Sequence, residues 1–205
     1  MKRSVYTRPN KPSYMIVTKR QGFAEDLTPL RVPEVVTVDR STECHVTPLP
    51  VAARMVDYLG PVGDFLTLDP QAGTGNLIQA LYDSGHSRYE TVAIERHHDL
   101  CSAIRRRFTG DQYIDPIQRC FLEYAAESAG RIEFPRIITN PPFRHVKKHM
   151  TAALSLLGRG GHDVASLVAL VPITYQHPEA EELETLDRDT FPTAAVSTKI
   201  IRIER

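Results

Sequence analysis

The stretch "LDPQAGTGNL", residues 68–77, passes from strand to helix through a glycine turn. The preceding "DFLTLD" (64–69) is short and apolar, as a buried strand is. The following "GNLIQALYDSG" (75–85) has helical apolar spacing and is closed by Gly85. Between them Gly73 and Gly75 bracket Thr74. Neither glycine has a Cβ, so the backbone can approach a ligand closely. The helix that starts there presents unpaired N–H groups. The third glycine of G-x-G-x-x-G is absent and no Gly-Lys-Ser/Thr follows, so this is neither a dinucleotide fingerprint nor a P-loop. Asp69, just before the turn, would repel a pyrophosphate and suits a cationic group.

Outward from this turn the chain alternates. Helices are predicted over 50–59, 98–108, 123–129 and 146–158, and strands over 90–95, 116–122, 136–139, 165–172 and 195–204. "EAEELETLD" (179–187) reads as a solvated acidic helix or loop. Such alternation implies an α/β fold, a mostly parallel sheet with helices on both faces. Ligands in such sheets bind at the carboxyl ends of the strands. Glu95 closes the second strand, 22 positions after Gly73, where a carboxylate can take two ribose hydroxyls. A ribose, an ammonium and no phosphate together describe S-adenosyl-L-methionine.

"IITNPPFRH" (137–145) ends another strand in a stiff hook. Pro141 and Pro142 lack an N–H and hold φ near -65°, and each pushes its predecessor to an extended conformation. The hook carries the Asn140 amide, the bare Pro141 carbonyl and the Phe143 ring.

"DPQAGTGNL" resembles motif I of the class I methyltransferases in its amino-methyltransferase form, and "NPPF" resembles their motif IV. "HVTPLPVAARMV" (45–56) is similar to motif X of one group of adenine-N6 methyltransferases. The resemblance spans residues 42–175 and implies a Rossmann-like methyltransferase fold. It implies S-adenosylmethionine held by His45, Thr47, Asp69, Gln71, Ala72, Gly73, Thr74, Gly75, Glu95, Arg96, Cys120, Phe121 and Asn140. It assigns catalysis to Asn140, Pro141, Pro142 and Phe143. The Asn140 oxygen and Pro141 carbonyl would accept the two N–H of an exocyclic adenine amine, and Phe143 would stack on a base flipped out of the duplex. Motif III of this family carries an aspartate for the cofactor adenine, where this chain reads "RCFLEY" with Cys120 in its place. Backbone groups at Cys120 and Phe121 are expected to serve instead, and the Cys120 thiol to be buried.

The 205 residues carry no net charge, so bulk charge names no partner. The apolar runs are far short of a membrane span. Cys44, Cys101 and Cys120 are widely spaced and odd in number, which fits a reducing cytosol, bacterial or phage-infected, and no zinc knuckle. His145 and His149 share a helix face, but Val146 stands where a zinc protease needs glutamate, so no metal is expected. Residues 1–40 read as a basic N-terminal arm and 41–205 as the catalytic domain. Arg144, His145, Lys147 and Lys148 make a basic helix start beside the hook, a candidate nucleic-acid contact, with DNA favoured over RNA. "RRR" (105–107) complements a helix end. No target-recognition domain is evident, and the family's last β-hairpin reads as abbreviated. Recognition would then come from the arm, a second copy or a partner subunit. Two alternatives stand beside this reading: N5 methylation of a glutamine side chain, and a non-catalytic methyltransferase-fold subunit.

Overall fold

The computed structural model describes residues 45–190 and 196–205. The expected basic arm, 1–40, lies outside them. In chain order the main elements are α1 (Leu49–Leu59), β1 (Thr67–Asp69), α2 (Asn76–Asp83), β2 (Thr91–Glu95), α3 (His98–Arg107) and β3 (Ile117–Gln118). There follow α4 (Phe121–Ser128), β4 (Arg136–Thr139), α5 (Val146–Leu156), β5 (Ser166–Pro172), β6 (Glu181–Leu186) and β7 (Thr198–Glu204). The strands form one seven-stranded sheet in the order β3-β2-β1-β4-β5-β7-β6. All pairings from β3 to β5 are parallel, and β7 joins antiparallel to both β5 and β6.

β1 lies between β2 and β4, so the strand order reverses there. That switch point opens a crevice outside the carboxyl ends of β1 and β4. Leu68 is level with Ile137. The glycine turn after β1 and the Asn-Pro-Pro hook after β4 therefore rise side by side.

The core fills both faces. Along β5, Val168 and Leu170 pack with α1 and α2 residues such as Met55, Val56 and Ile78. Leu167, Ala169 and Val171 pack with α4 and α5 residues such as Phe121, Met150 and Leu156. This two-sided burial explains why "SLVALV" shows no polar alternation.

Three expectations are corrected. The acidic run is neither helix nor loop: Glu181–Leu186 is an edge strand, where outward carboxylates stay solvated or meet cations. Glu181 pairs with Arg202 at 2.6 Å, Glu184 with Arg54 at 2.9 Å, and Glu182 with Lys199. Consequently the last hairpin is not abbreviated, since β6 and β7 pair from Glu181–Arg202 to Leu186–Thr198. The strand expected over 116–122 is only Ile117–Gln118, because Phe121 turns its ring into the core as the first residue of α4. Among the described residues no helix is long and apolar enough to cross a membrane.

Two local features set stability. α2 starts on Gly75, in the left-handed region at φ 82°. A Cβ there would stand 2.8 Å from Phe108 Cε2. At the amino end of the sheet Arg136 is a buried cation, its guanidinium carbon 3.6 Å from the centre of the Phe65 ring. The Leu81 carbonyl, 3.2 Å from His86 Nδ1, can only accept, so Nδ1 carries the proton and Nε2 faces Arg136 Nη1 at 3.4 Å as acceptor. Burial, then Arg136, hold His86 below its ordinary pKa against the weaker pull of Glu90.

Gly75→Ala should lower unfolding free energy by about 1–3 kcal/mol in urea titration, from overpacking against Phe108 and left-handed strain. An unchanged midpoint would contradict the packing described. His86 is depressed in the fold, so its contribution is present above the unfolded value of 6.5 and is lost as pH falls below it. Between about pH 7.5 and 5.5, urea midpoints of the wild type should fall more than those of His86→Gln. Equal losses would show that His86 is not the proton-linked group.

Candidate active site

The glycine turn is held by the strand beside it. Ala72 N–H donates to the Ile94 carbonyl at 2.9 Å. Gly73 N–H donates to Glu95 Oε2 at 2.9 Å, and His97 N–H donates to Glu95 Oε1 at 2.8 Å. Two backbone donors thus fix the buried Glu95 carboxylate at the end of β2. Each oxygen keeps a lone pair for a further donor. Arg107 holds the turn from the other side, donating to the Thr74 carbonyl at 2.9 Å and to Asn76 Oδ1 at 2.6 Å. The basic run at 105–107 therefore does more than complement a helix end.

The hook leaves β4 at Thr139. Asn140 Nδ2 donates to the His45 carbonyl at 2.7 Å and to Thr47 Oγ1 at 2.9 Å. Asn140 Oδ1 is buried without a partner. Asn76 Nδ2 donates to the Thr47 carbonyl at 2.8 Å, so segment 45–47 is tied to both the glycine turn and the hook. Phe143 stacks on the His45 imidazole, ring centres 4.8 Å apart.

Below the hook, Thr139 Oγ1 meets Gln71 Oε1 at 2.6 Å and Gln71 Nε2 meets His149 Nδ1 at 2.9 Å. Burial, aided by His145 and Arg96, pushes His149 down to about 4, which leaves it neutral at neutral pH. The i,i+4 histidine pair is thus split: His149 turns inward onto Gln71 while His145 stays exposed.

Turn, carboxylate and hook share one cavity of about 310 Å³. Gln71, Ala72, Gly73, Thr74, Glu95 and Arg96 line it. So do His45, Thr47, Cys120, Phe121, Asn140 and Pro142. Four of the expected cofactor and catalytic residues do not line it. Asp69, the last residue of β1, is fully buried. Its Oδ1 accepts the Gln71 N–H at 3.3 Å, and burial together with the Glu95 charge raises its carboxyl to about 8. Gly75 faces Phe108, Pro141 is buried, and Phe143 stands outside the wall against His45. Cys120 is half-buried rather than buried, since it caps α4 at the cavity wall; among the described residues the buried thiol is Cys101. Arg144, His145, Lys147 and Lys148 are all exposed at the start of α5, and His145 also reaches the cavity. Asn76 and His149 line the cavity without having been expected at the cofactor, and His97 lines it beside Glu95. Of Asn76 and His149, only His149 carried a sequence signal, one helical turn beyond His145.

No protein-family model matches the chain, and no curated protein matches it by sequence. Solved structures do. A modification subunit of a putative type I restriction enzyme from Vibrio vulnificus matches with TM-score 0.65 at 16% identity, over 79% of this chain and 44% of that one. The 23S rRNA methyltransferase ErmE matches with TM-score 0.59 at 16% identity, over 82% of this chain and 68% of that one. TrmN from Thermus thermophilus matches with TM-score 0.56 at 15% identity, over 77% of this chain and 48% of that one. The chain thus spans under half of the Vibrio and Thermus proteins. At these identities the likeness is one of fold: the chain has the α/β Rossmann-like fold of methyltransferases.

Proposed function

We propose that the chain is an S-adenosylmethionine-dependent methyltransferase acting on the N6 amine of adenine, with DNA favoured over RNA. The observation that carries this reading is one cavity walled by the Gly73 turn, the Glu95 carboxylate and the Asn140 hook. The residues fit the cofactor. Glu95 offers a fixed carboxylate to ribose hydroxyls, and the turn has no lysine for a phosphate. Cys120 and Phe121 line the cavity beyond the end of β3, where backbone groups serve the cofactor adenine in place of the missing acid.

When bound, S-adenosylmethionine supplies an electrophilic methyl group. The protein's part is placement. An aromatic amine is a weak nucleophile because its lone pair is delocalised into the ring. The unpartnered Asn140 oxygen and the Pro141 carbonyl accept its two N–H, draw the nitrogen toward tetrahedral geometry and aim the lone pair. Pro142 keeps the Pro141 carbonyl in place, and Phe143 offers a stacking face once a flipped base reaches it. The exposed cations at the start of α5 contact the phosphate backbone. Sequence recognition then comes from a further subunit or a second copy, in keeping with the fold shared with a type I modification subunit.

Glu95→Ala should weaken S-adenosylmethionine binding by tenfold or more in calorimetry, from loss of hydrogen bonds worth about 1.5–3 kcal/mol each. Asn140→Ala should leave that affinity nearly intact and slow single-turnover methylation of adenine-containing DNA by about 10²–10³. Phe143→Ala should weaken DNA engagement, while Phe143→Tyr keeps it. Wild-type rates in Asn140→Ala would remove the hook from catalysis. The double variant Lys147→Gln, Lys148→Gln should flatten the slope of log K against log salt by about 0.9 per lost phosphate contact. An unchanged slope would mean that these lysines only face solvent.

A further inference from the structure

The polarity of the Asn140 amide is decided by its neighbours. The His45 carbonyl can only accept, so the group 2.7 Å away from it must be Nδ2. The same nitrogen gives its second N–H to Thr47 Oγ1 at 2.9 Å. Both amide protons are thus used on segment 45–47. The amide is planar, so Oδ1 points away from that segment, and it is the buried oxygen left without a partner. Segment 45–47 is itself pinned, because Asn76 at the head of α2 holds the Thr47 carbonyl at 2.8 Å and Arg107 holds Asn76 at 2.6 Å.

We propose that Thr47 is a positioning residue for methyl transfer: its hydroxyl, with the His45 carbonyl, locks the Asn140 amide so that Oδ1 is held ready as an acceptor for the target amine. The inference rests on the amine-methylation reading above and adds a role for Thr47 within it. The resemblance put Thr47 among the cofactor contacts; it lines the cavity, and its hydroxyl in addition accepts from Asn140. Without Thr47 Oγ1, one amide N–H lacks an acceptor, and rotation of the amide about its Cβ–Cγ bond becomes cheap. The oxygen then spends less time in the productive direction, and catalysis by preorganisation weakens. Thr47 is buried, so valine replaces it with nearly the same shape and serine keeps the hydroxyl.

The test uses the full chain and two ligands that differ at one position. S-adenosylhomocysteine has no group where the transferred methyl lies, whereas sinefungin carries an amine there, a donor for Asn140 Oδ1. In wild type, sinefungin should bind more tightly than S-adenosylhomocysteine. In Thr47→Val that preference, the ratio of the two affinities in the same variant, should shrink by roughly fivefold to tenfold, the value of one hydrogen bond. Single-turnover methylation of adenine DNA should slow by a similar factor. Thr47→Ser should restore both. A Thr47→Val protein that keeps both the preference and the rate overturns the proposal. Failure of wild type to bind S-adenosylhomocysteine overturns the cofactor reading and this inference with it. Binding without DNA methylation overturns the adenine reading alone, and the analogue preference still decides the role of Thr47.

Discussion

The Glu95 carboxylate accepts one N–H from the turn after β1 and one from the chain entering α3. Those two hydrogen bonds fix the mouth of the sheet where strand order reverses. A buried carboxylate needs such partners, since an ionised group taken out of water unpaired is costly. The same bonds orient the lone pairs that remain. The group that stabilises the turn is therefore also the one offered to a ligand.

The second anchor runs across the crevice. Arg107, Asn76, Thr47 and Asn140 form a continuous hydrogen-bonded series from α3 through the head of α2 to the hook. Arg107 donates to Asn76 and Asn76 to the Thr47 carbonyl, while Asn140 donates back to Thr47 Oγ1, so the two donor directions meet at Thr47. It ends on an oxygen with nothing to accept. The titratable groups nearby suit catalysis by placement rather than by strong base. His149 is neutral and engaged by Gln71, and Asp69 is buried below the turn with its carboxyl raised to about 8.

Apart from β3, the sheet's parallel half was legible in the sequence because its strands are apolar runs that end on turn residues. Arg136–Thr139 and β5 agree with the reading to within one residue. The acidic edge strand was not legible, since its partners Arg54, Lys199 and Arg202 lie far away in sequence and only the fold brings them to the glutamates. At the site, glycines and prolines announce backbone geometry, so the turn and the hook could be found directly. Side-chain direction is a different matter. That Asp69 points inward, that Arg107 reaches back to Thr74, and that Thr47 faces Asn140 depend on long-range packing that local pattern does not encode.

A fold of this kind hosts many chemistries, and function resides in the site. The chemistry argued for this cavity comes down to which atom receives the methyl group. The most direct measurement is transfer of labelled methyl from S-adenosylmethionine to adenine-containing DNA, RNA and protein substrates, followed by hydrolysis and chromatography of the product. Label is expected in N6-methyladenine recovered from DNA and lost in Asn140→Ala, as catalysis by the hook requires. Label in a methylated glutamine side chain, or none in any substrate while the cofactor binds, would contradict it.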